Sequence, residues 1–216
     1  RLTCRGVSTS VKAPKKEVVS LFIQLVEAKV GDESTAREAW DAWERDVRPS
    51  VTGYLGATGG MTDDGRMIFI ARFESPEAAA KNNDLPEQQQ WYEKHLANLD
   101  SLAFTNSSQV DEMMGGGSDD AGFVQLIRGK CSDPQKMREV GQQMESELSQ
   151  RRPDVLGGIV AWHDDDPNAF TQTVYFKSEE EARRNEADET MGGAPDEFSS
   201  LLSDLSFIDL HEPWLA

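Results

Sequence analysis

A chain of 216 residues with 38% hydrophobic content can bury two cores of about 100 residues each. Its formal net charge of −17 repels phosphate backbones and anionic lipid, which argues against nucleic-acid and membrane partners, and no apolar run approaches the ~20 residues that cross a bilayer. Cys4 and Cys131 lie outside any C-x-x-C, so neither a disulfide framework nor a structural zinc is expected, and a reducing, cytoplasmic location fits.

Residues 1–16 lack periodicity and contain Gly6, Pro14 and several Ser, Thr and Lys; they read as a flexible tail. A first unit spans 17–112. Val18 to Val30 is a strand whose apolar run suggests burial on both faces. Asp32 can cap the helix that follows. In that helix Ala36, Ala39, Trp40, Trp43 and Val47 recur on one stripe, and Arg48-Pro49 ends it. Tyr54 to Thr62 and Arg66 to Phe73 are strands joined by Asp63-Asp64-Gly65, a hairpin signal. Ser75-Pro76 opens a second helix, interrupted at Leu85-Pro86 and resumed to Leu99, and Leu102 to Thr105 is a last strand. Residues 113–120, Met113 to Asp120, form a Gly-rich linker with the composition of a mobile segment.

The second unit, 121–216, repeats the first. Phe22-Ile23-Gln24-Leu25-Val26 returns as Phe123-Val124-Gln125-Leu126-Ile127, an offset of 101. After the Asp164-Asp165-Asp166-Pro167-Asn168 turn the offset becomes 103, matching Phe73 to Phe176 and Asn82 to Asn185. Asp133 caps a helix with Met137, Val140, Met144 and Leu148 on its stripe, ended by Arg152-Pro153. Leu156 to His163 and Phe170 to Phe176 are strands. Ser178 with Glu181 forms a capping box, Gly192-Gly193-Ala194-Pro195 interrupts the second helix, and Phe207 to Leu210 closes the unit. A register kept across a duplicated segment identifies an internal repeat.

Each half reads β-α-β-β-α-β, the ferredoxin-like order, which makes the fold α+β. In that topology both helices cover one face of a four-stranded antiparallel sheet. The other face would leave about five large apolar side chains wet, at about 1.5–3 kcal/mol each. The two sheets are therefore expected to pack face to face as a pseudo-dimer within one chain.

These residues resemble the dimeric α/β-barrel superfamily, which includes the antibiotic biosynthesis monooxygenase-like proteins. Gly53-Tyr54-Leu55-Gly56 is similar to that family's second strand, and Phe73-Glu74-Ser75-Pro76-Glu77-Ala78-Ala79 and Phe176-Lys177-Ser178-Glu179 are similar to its third strand and helix entry. Asn82-Asn83-Asp84-Leu85-Pro86-Glu87-Gln88 with Trp91-Tyr92 resembles a motif of bacterial members of unassigned function. The resemblance covers about residues 18–215. It implies an intramolecular barrel, a small-molecule pocket between sheet and helices in each half, and room for further oligomerisation. Among the activities it implies is a cofactor-independent oxygenase acting on an aromatic or polyketide-like molecule. The first strand lacks the Asn that the haem-degrading branch carries there, so no haem and no other cofactor is expected.

Within that frame Trp91 would stack a substrate, His95 would exchange a proton, and Asn82 with Gln24 would hold an oxygen. Tyr92, Gln125 and Asn185 complete the substrate-binding candidates. Each has a plainer reading: Gln24 and Gln125 as hydrogen-bonded strand amides, Asn82 and Asn185 as helix terminators, Trp91, Tyr92 and His95 as a packing face. His163 beside Asp164, Asp165 and Asp166 reads as a solvated turn, so no metal site is expected. The alternative function is a non-catalytic small-molecule-binding or scaffold protein with degenerate pockets. The second copy favours it by showing Ala194, Phe198 and Ser199 where the first has aromatic and titratable groups.

Overall fold

The fold is that of a computed structural model, which describes residues 21–188 and 196–216; the N-terminal tail, the first residues of the first expected strand and the Gly192–Pro195 interruption lie outside them. In chain order the elements are β1 (Phe22–Lys29), α1 (Glu33–Ala42), β2 (Tyr54–Met61), β3 (Arg66–Phe73), α2 (Pro76–Asn83), α3 (Pro86–His95), β4 (Asp100–Ser107), β5 (Gln109–Met113), β6 (Phe123–Cys131), α4 (Pro134–Arg151), β7 (Val155–Trp162), β8 (Ala169–Phe176), α5 (Glu179–Glu186), α6 (Asp196–Ser199), β9 (Leu202–Leu210) and β10 (Trp214–Leu215). The expected caps are in place: Asp32 accepts from the Thr35 amide, Asp133 from Lys136, Ser75 from Ala78 and Ser178 from Glu181.

The strands form two antiparallel sheets, ordered β10-β2-β3-β1-β4 and β5-β7-β8-β6-β9. Within each lies the ferredoxin-like order. Two corrections to the sequence expectation follow. Each sheet has five strands rather than four, and the hydrogen-bond ladders stay two and do not close into one barrel. The fifth strands are exchanged. β4 bends at Ser108 and continues as β5 on the edge of the second sheet, while the chain after β9 returns as β10 to pair Trp214 with Gly59 and Leu215 with Thr58 of β2. Each exchange covers a strand edge that would otherwise expose unpaired backbone groups. The first corner is pinned by Asp164, which accepts from the Ser108 amide at 2.8 Å and its hydroxyl at 3.0 Å. The duplication persists in backbone detail: Ser101 and Asp204, 103 positions apart, both adopt positive φ (56° and 54°), and both sit at a register shift against the first strand of their repeat.

Alternation along β1 sorts its side chains. Phe22, Val26 and Ala28 turn to the helices, while Ile23 and Leu25 meet the other sheet. The inter-sheet core joins Ile23, Leu25, Ile68 and Ile70 to Val124, Leu126, Ile159, Tyr175 and Leu210, all buried. At its border Glu27 pairs with Arg128 at 2.6 Å and with Arg66 at 2.9 Å. Glu27 and Arg128 are equivalent positions of the two repeats, so the halves pair through opposite charges where an identical pair would repel.

A second inter-repeat tie lies near the return to β10. His211 Nδ1 lies 2.7 Å from Glu179 and Nε2 3.1 Å from Asp63. Those carboxylates, Glu179 first, raise the imidazole above the ordinary histidine range. The tie is therefore fully formed below the pKa of a free histidine and is lost as pH rises through the raised value. Because the group is well exposed, the effect is expected to stay under about 1 kcal/mol. Thermal melts between about pH 5.5 and 8.5, which bracket histidine titration, should show the wild type losing a small increment that His211→Gln does not.

Candidate functional site

A cavity of about 540 Å3 lies in the first repeat, between the sheet and its helices, within the usual range for small-molecule sites. The sheet supplies Gln24 and Val26 from β1, Ala57 from β2, Phe69, Ala71 and Phe73 from β3, and Phe104 and Asn106 from β4. The helical side supplies Trp40 and Trp43, Asn82 and Asn83, and Gln88, Gln89, Trp91, Tyr92, Glu93 and Leu96, with Tyr54 at one end.

Local sequence explains the walls. α1 widens into a π-helical turn at Trp43–Val47 before Arg48-Pro49 ends it; such turns concentrate at functional sites. Val47 is wholly buried there, and Trp43 forms part of the wall. Trp40 packs close against β2 because Gly59 has no side chain: a Cβ there would come 2.7 Å from the indole. Trp214 of β10 packs behind, its ring 6.0 Å from Trp40 and 6.2 Å from Phe69. The second repeat thus buttresses the first repeat's cavity. Gly59→Ala should push the Trp40 ring into the cavity and weaken any ligand several-fold, with a smaller effect on the melting temperature; titration of the variant beside the wild type checks this.

The polar groups are mostly side-chain amides. Trp43 Nε1 donates to Gln88 Oε1 at 2.8 Å, and Asn82 Nδ2 makes a long 3.5 Å contact to the same oxygen. An indole N–H can only donate, so it fixes which atom of Gln88 faces it, and hence which of Asn82. Asn82 is 4% exposed, and its Oδ1 has no hydrogen-bond partner among the described residues. At the sheet, Gln24 Nε2 donates to Asn106 Oδ1 at 3.3 Å. Burial pushes the Tyr54 phenol above its ordinary range, and its hydroxyl donates to Glu44 at 3.3 Å.

Four of the sequence-derived candidates, Gln24, Asn82, Trp91 and Tyr92, meet around this cavity. Trp91 is also a structural anchor, donating to the Ala39 carbonyl at 2.8 Å. His95 does not border it. Its ring lies 6.2 Å from Trp91 and it lines a separate shallow depression with Thr35, Glu38, Lys94, Asn98 and Leu99; burial lowers its pKa. Gln125 and Asn185 also lie elsewhere. Gln125 donates to Asp209 at 2.9 Å, and Asn185 donates to the buried Asp154 at 2.6 Å. Burial alone would raise the Asp154 carboxyl, but hydrogen bonds from Arg152 and Asn185 outweigh it and hold it low.

The repeats differ at the positions that make the cavity and beside them. Where the first has Ala80 and Asn106, the second has Arg183 and Asp209. Arg183 reaches from α5 to Asp209, which also holds Gln125, and its guanidinium lies 5.0 Å from the Phe123 ring centroid. Trp40, Trp43, Tyr54 and Phe69 correspond to Gly141, Met144, Val155 and Gln172. Sequence reasoning placed Trp43 on the packing stripe and passed over Gln88, Phe104 and Asn106. The signal available was this copy-to-copy contrast, in which aromatic wall residues are lost together with the gain of Arg183.

No protein-family model matches the sequence, and no curated protein matches it significantly. Solved structures do match. A putative monooxygenase from Lactobacillus acidophilus aligns with a TM-score of 0.69 at 12% identity, covering 91% of this chain and 99% of its own. A putative monooxygenase from Fusobacterium nucleatum gives 0.70 at 8% identity, with 92% and 94% covered, and an anthrone oxidase-like protein gives 0.61 at 10% identity, with 93% and 94% covered. At these identities the likeness is one of fold: the chain has the architecture of these putative monooxygenases, two ferredoxin-like repeats stacked sheet to sheet, as its resemblance to the dimeric α/β-barrel superfamily led us to expect.

Proposed function

We propose that the chain is a monooxygenase-like enzyme acting, without a cofactor, on an aromatic or polyketide-like small molecule bound in the first repeat. The observation that carries this reading is Asn82 Oδ1, a buried acceptor without a partner among the described residues, on a wall rich in aromatic rings. Leaving such an acceptor unsatisfied costs about 1–3 kcal/mol, and a ligand hydroxyl or N–H recovers it. The names of the structural neighbours, two putative monooxygenases and an anthrone oxidase-like protein, point the same way.

For a substrate with a methylene activated between aromatic rings, one molecule of dioxygen converts that methylene to a carbonyl and releases one molecule of water. Both carbon–hydrogen bonds of the methylene break and a carbon–oxygen double bond forms. The substrate supplies all four electrons, one oxygen atom enters the product, and the other leaves as water carrying the two hydrogens. The chain's part is to exclude water, stack the rings and hold the substrate's polar edge at Asn82 and at the Gln24–Asn106 pair. His95 borders the other depression, so proton removal falls to Glu93, the one carboxylate on the wall.

A second reading, a non-catalytic binder, is favoured by the absence of any His, Cys, Asp, Lys or Arg among the described lining residues. Anthrone under air, whose enol tautomer carries the O–H that Asn82 Oδ1 can accept, decides between them. Oxygen uptake with anthraquinone formation, reduced at least about tenfold by Glu93→Gln, is the result expected of the enzyme; saturable binding with no uptake is that of the binder.

A further inference from the structure

We propose that the cavity of the first repeat selects a planar aromatic molecule bearing a protonated amine and turns away the matching carboxylate. This rests on the reading that the cavity is a ligand site and adds the charge class of what it takes. Three independent features converge. Eight aromatic side chains line the walls, and ring faces attract cations through their quadrupole. Two of the three wall indoles have their N–H donors already used: Trp43 donates to Gln88 and Trp91 to the Ala39 carbonyl. The lining residue Asn82 carries an acceptor, Oδ1, buried and without a partner among the described residues; it calls for an N–H or O–H and repels a carboxylate oxygen.

Charge adds to these three. Among the described residues no lysine, arginine or histidine lines the cavity, and its one ionic wall residue is Glu93. The cations nearby are committed elsewhere. Arg48, 5.6 Å from the Tyr54 ring, is paired with Glu44 at 2.5 Å, while Lys94 and His95 border the other depression. Arg72 alternates on β3 with the lining residues Ala71 and Phe73 and lies near Gly117 and Asp119 of the segment between the repeats. Around the whole site a chain of net charge −17 draws cations toward the mouth and holds anions off.

The test is a titration of the full chain, followed by tryptophan fluorescence and calorimetry, with three isosteric probes: 2-naphthylmethylamine, 2-naphthalenemethanol and 2-naphthoic acid, at about pH 7, where the amine is protonated and the acid ionised. The amine is expected to bind at least about tenfold tighter than the alcohol, with the acid weakest, and Asn82→Ala should weaken amine and alcohol while leaving 2-methylnaphthalene unchanged. If the alcohol and 2-methylnaphthalene bind but the acid equals or exceeds the amine, charge selection is wrong and the ligand site stands. If none of the four aromatics binds, the ligand-site reading falls as well.

Discussion

Leu126→Ala should destabilise the protein by about 3 kcal/mol and should do so for both repeats at once. Leu126 is fully buried in the core between the sheets, with Ile23, Leu25, Ile68 and Ile70 of the other repeat in the same cluster. Removing it costs the transfer free energy of the lost methyl groups and leaves a cavity between two stiff sheets that collapse poorly. Unfolding by urea, followed through the tryptophans, reads the coupling. Trp40, Trp43 and Trp91 report on the first repeat and Trp162 on the second. One transition shifted as a whole is expected. Two transitions, with only that of Trp162 shifted, would mean that the halves fold apart.

The second large effect concerns the pair on the border of that core. Arg128→Glu places a carboxylate against Glu27, whose side chain is 13% exposed. Reversing one member of a mostly buried pair leaves two like charges with little water to screen them, an expected loss of about 3 kcal/mol. The double variant Glu27→Arg with Arg128→Glu should regain at least half of it, the shortfall arising because Arg66 also pairs with Glu27. A double-mutant cycle measures the coupling; additive losses would show that the pair does not join the repeats. The same contact gives the two copies a reason to have diverged. Equivalent positions that met as like charges would disfavour closure, whereas Glu27 against Arg128 favours partnership within one chain.

Much of this was legible in the sequence because the repeat constrains it twice. The Phe22 and Phe123 strands, the Asp32 and Asp133 caps and the Gly65 hairpin each had a physical signature, and two copies in register turned separate guesses into one topology. The exchanged strands were not legible. Gln109–Met113 is polar and short, and Trp214–Leu215 has two residues; neither carries a period, and both are strands only because the opposite sheet offers an edge. The cavity was half legible. Asn82, Trp91, Tyr92 and Gln24 stood out as polar or aromatic residues in unexpected places. Trp43 did not, because an aromatic on a helical stripe reads as packing, and Trp43 does pack on the core cluster while also lining the wall. His95 stood out for its chemistry, but its distance from the cavity depends on where α3 ends, which spacing alone does not fix.

The central claim is that the two repeats form one body with a single ligand site, in the first repeat. Its most direct test is a titration with 2-naphthalenemethanol observed through the five indole N–H signals in an NMR spectrum. The account predicts that the Trp43 and Trp91 signals shift together and saturate at one equivalent while that of Trp162 stays in place. A shift at Trp162, or saturation at two equivalents, would contradict it.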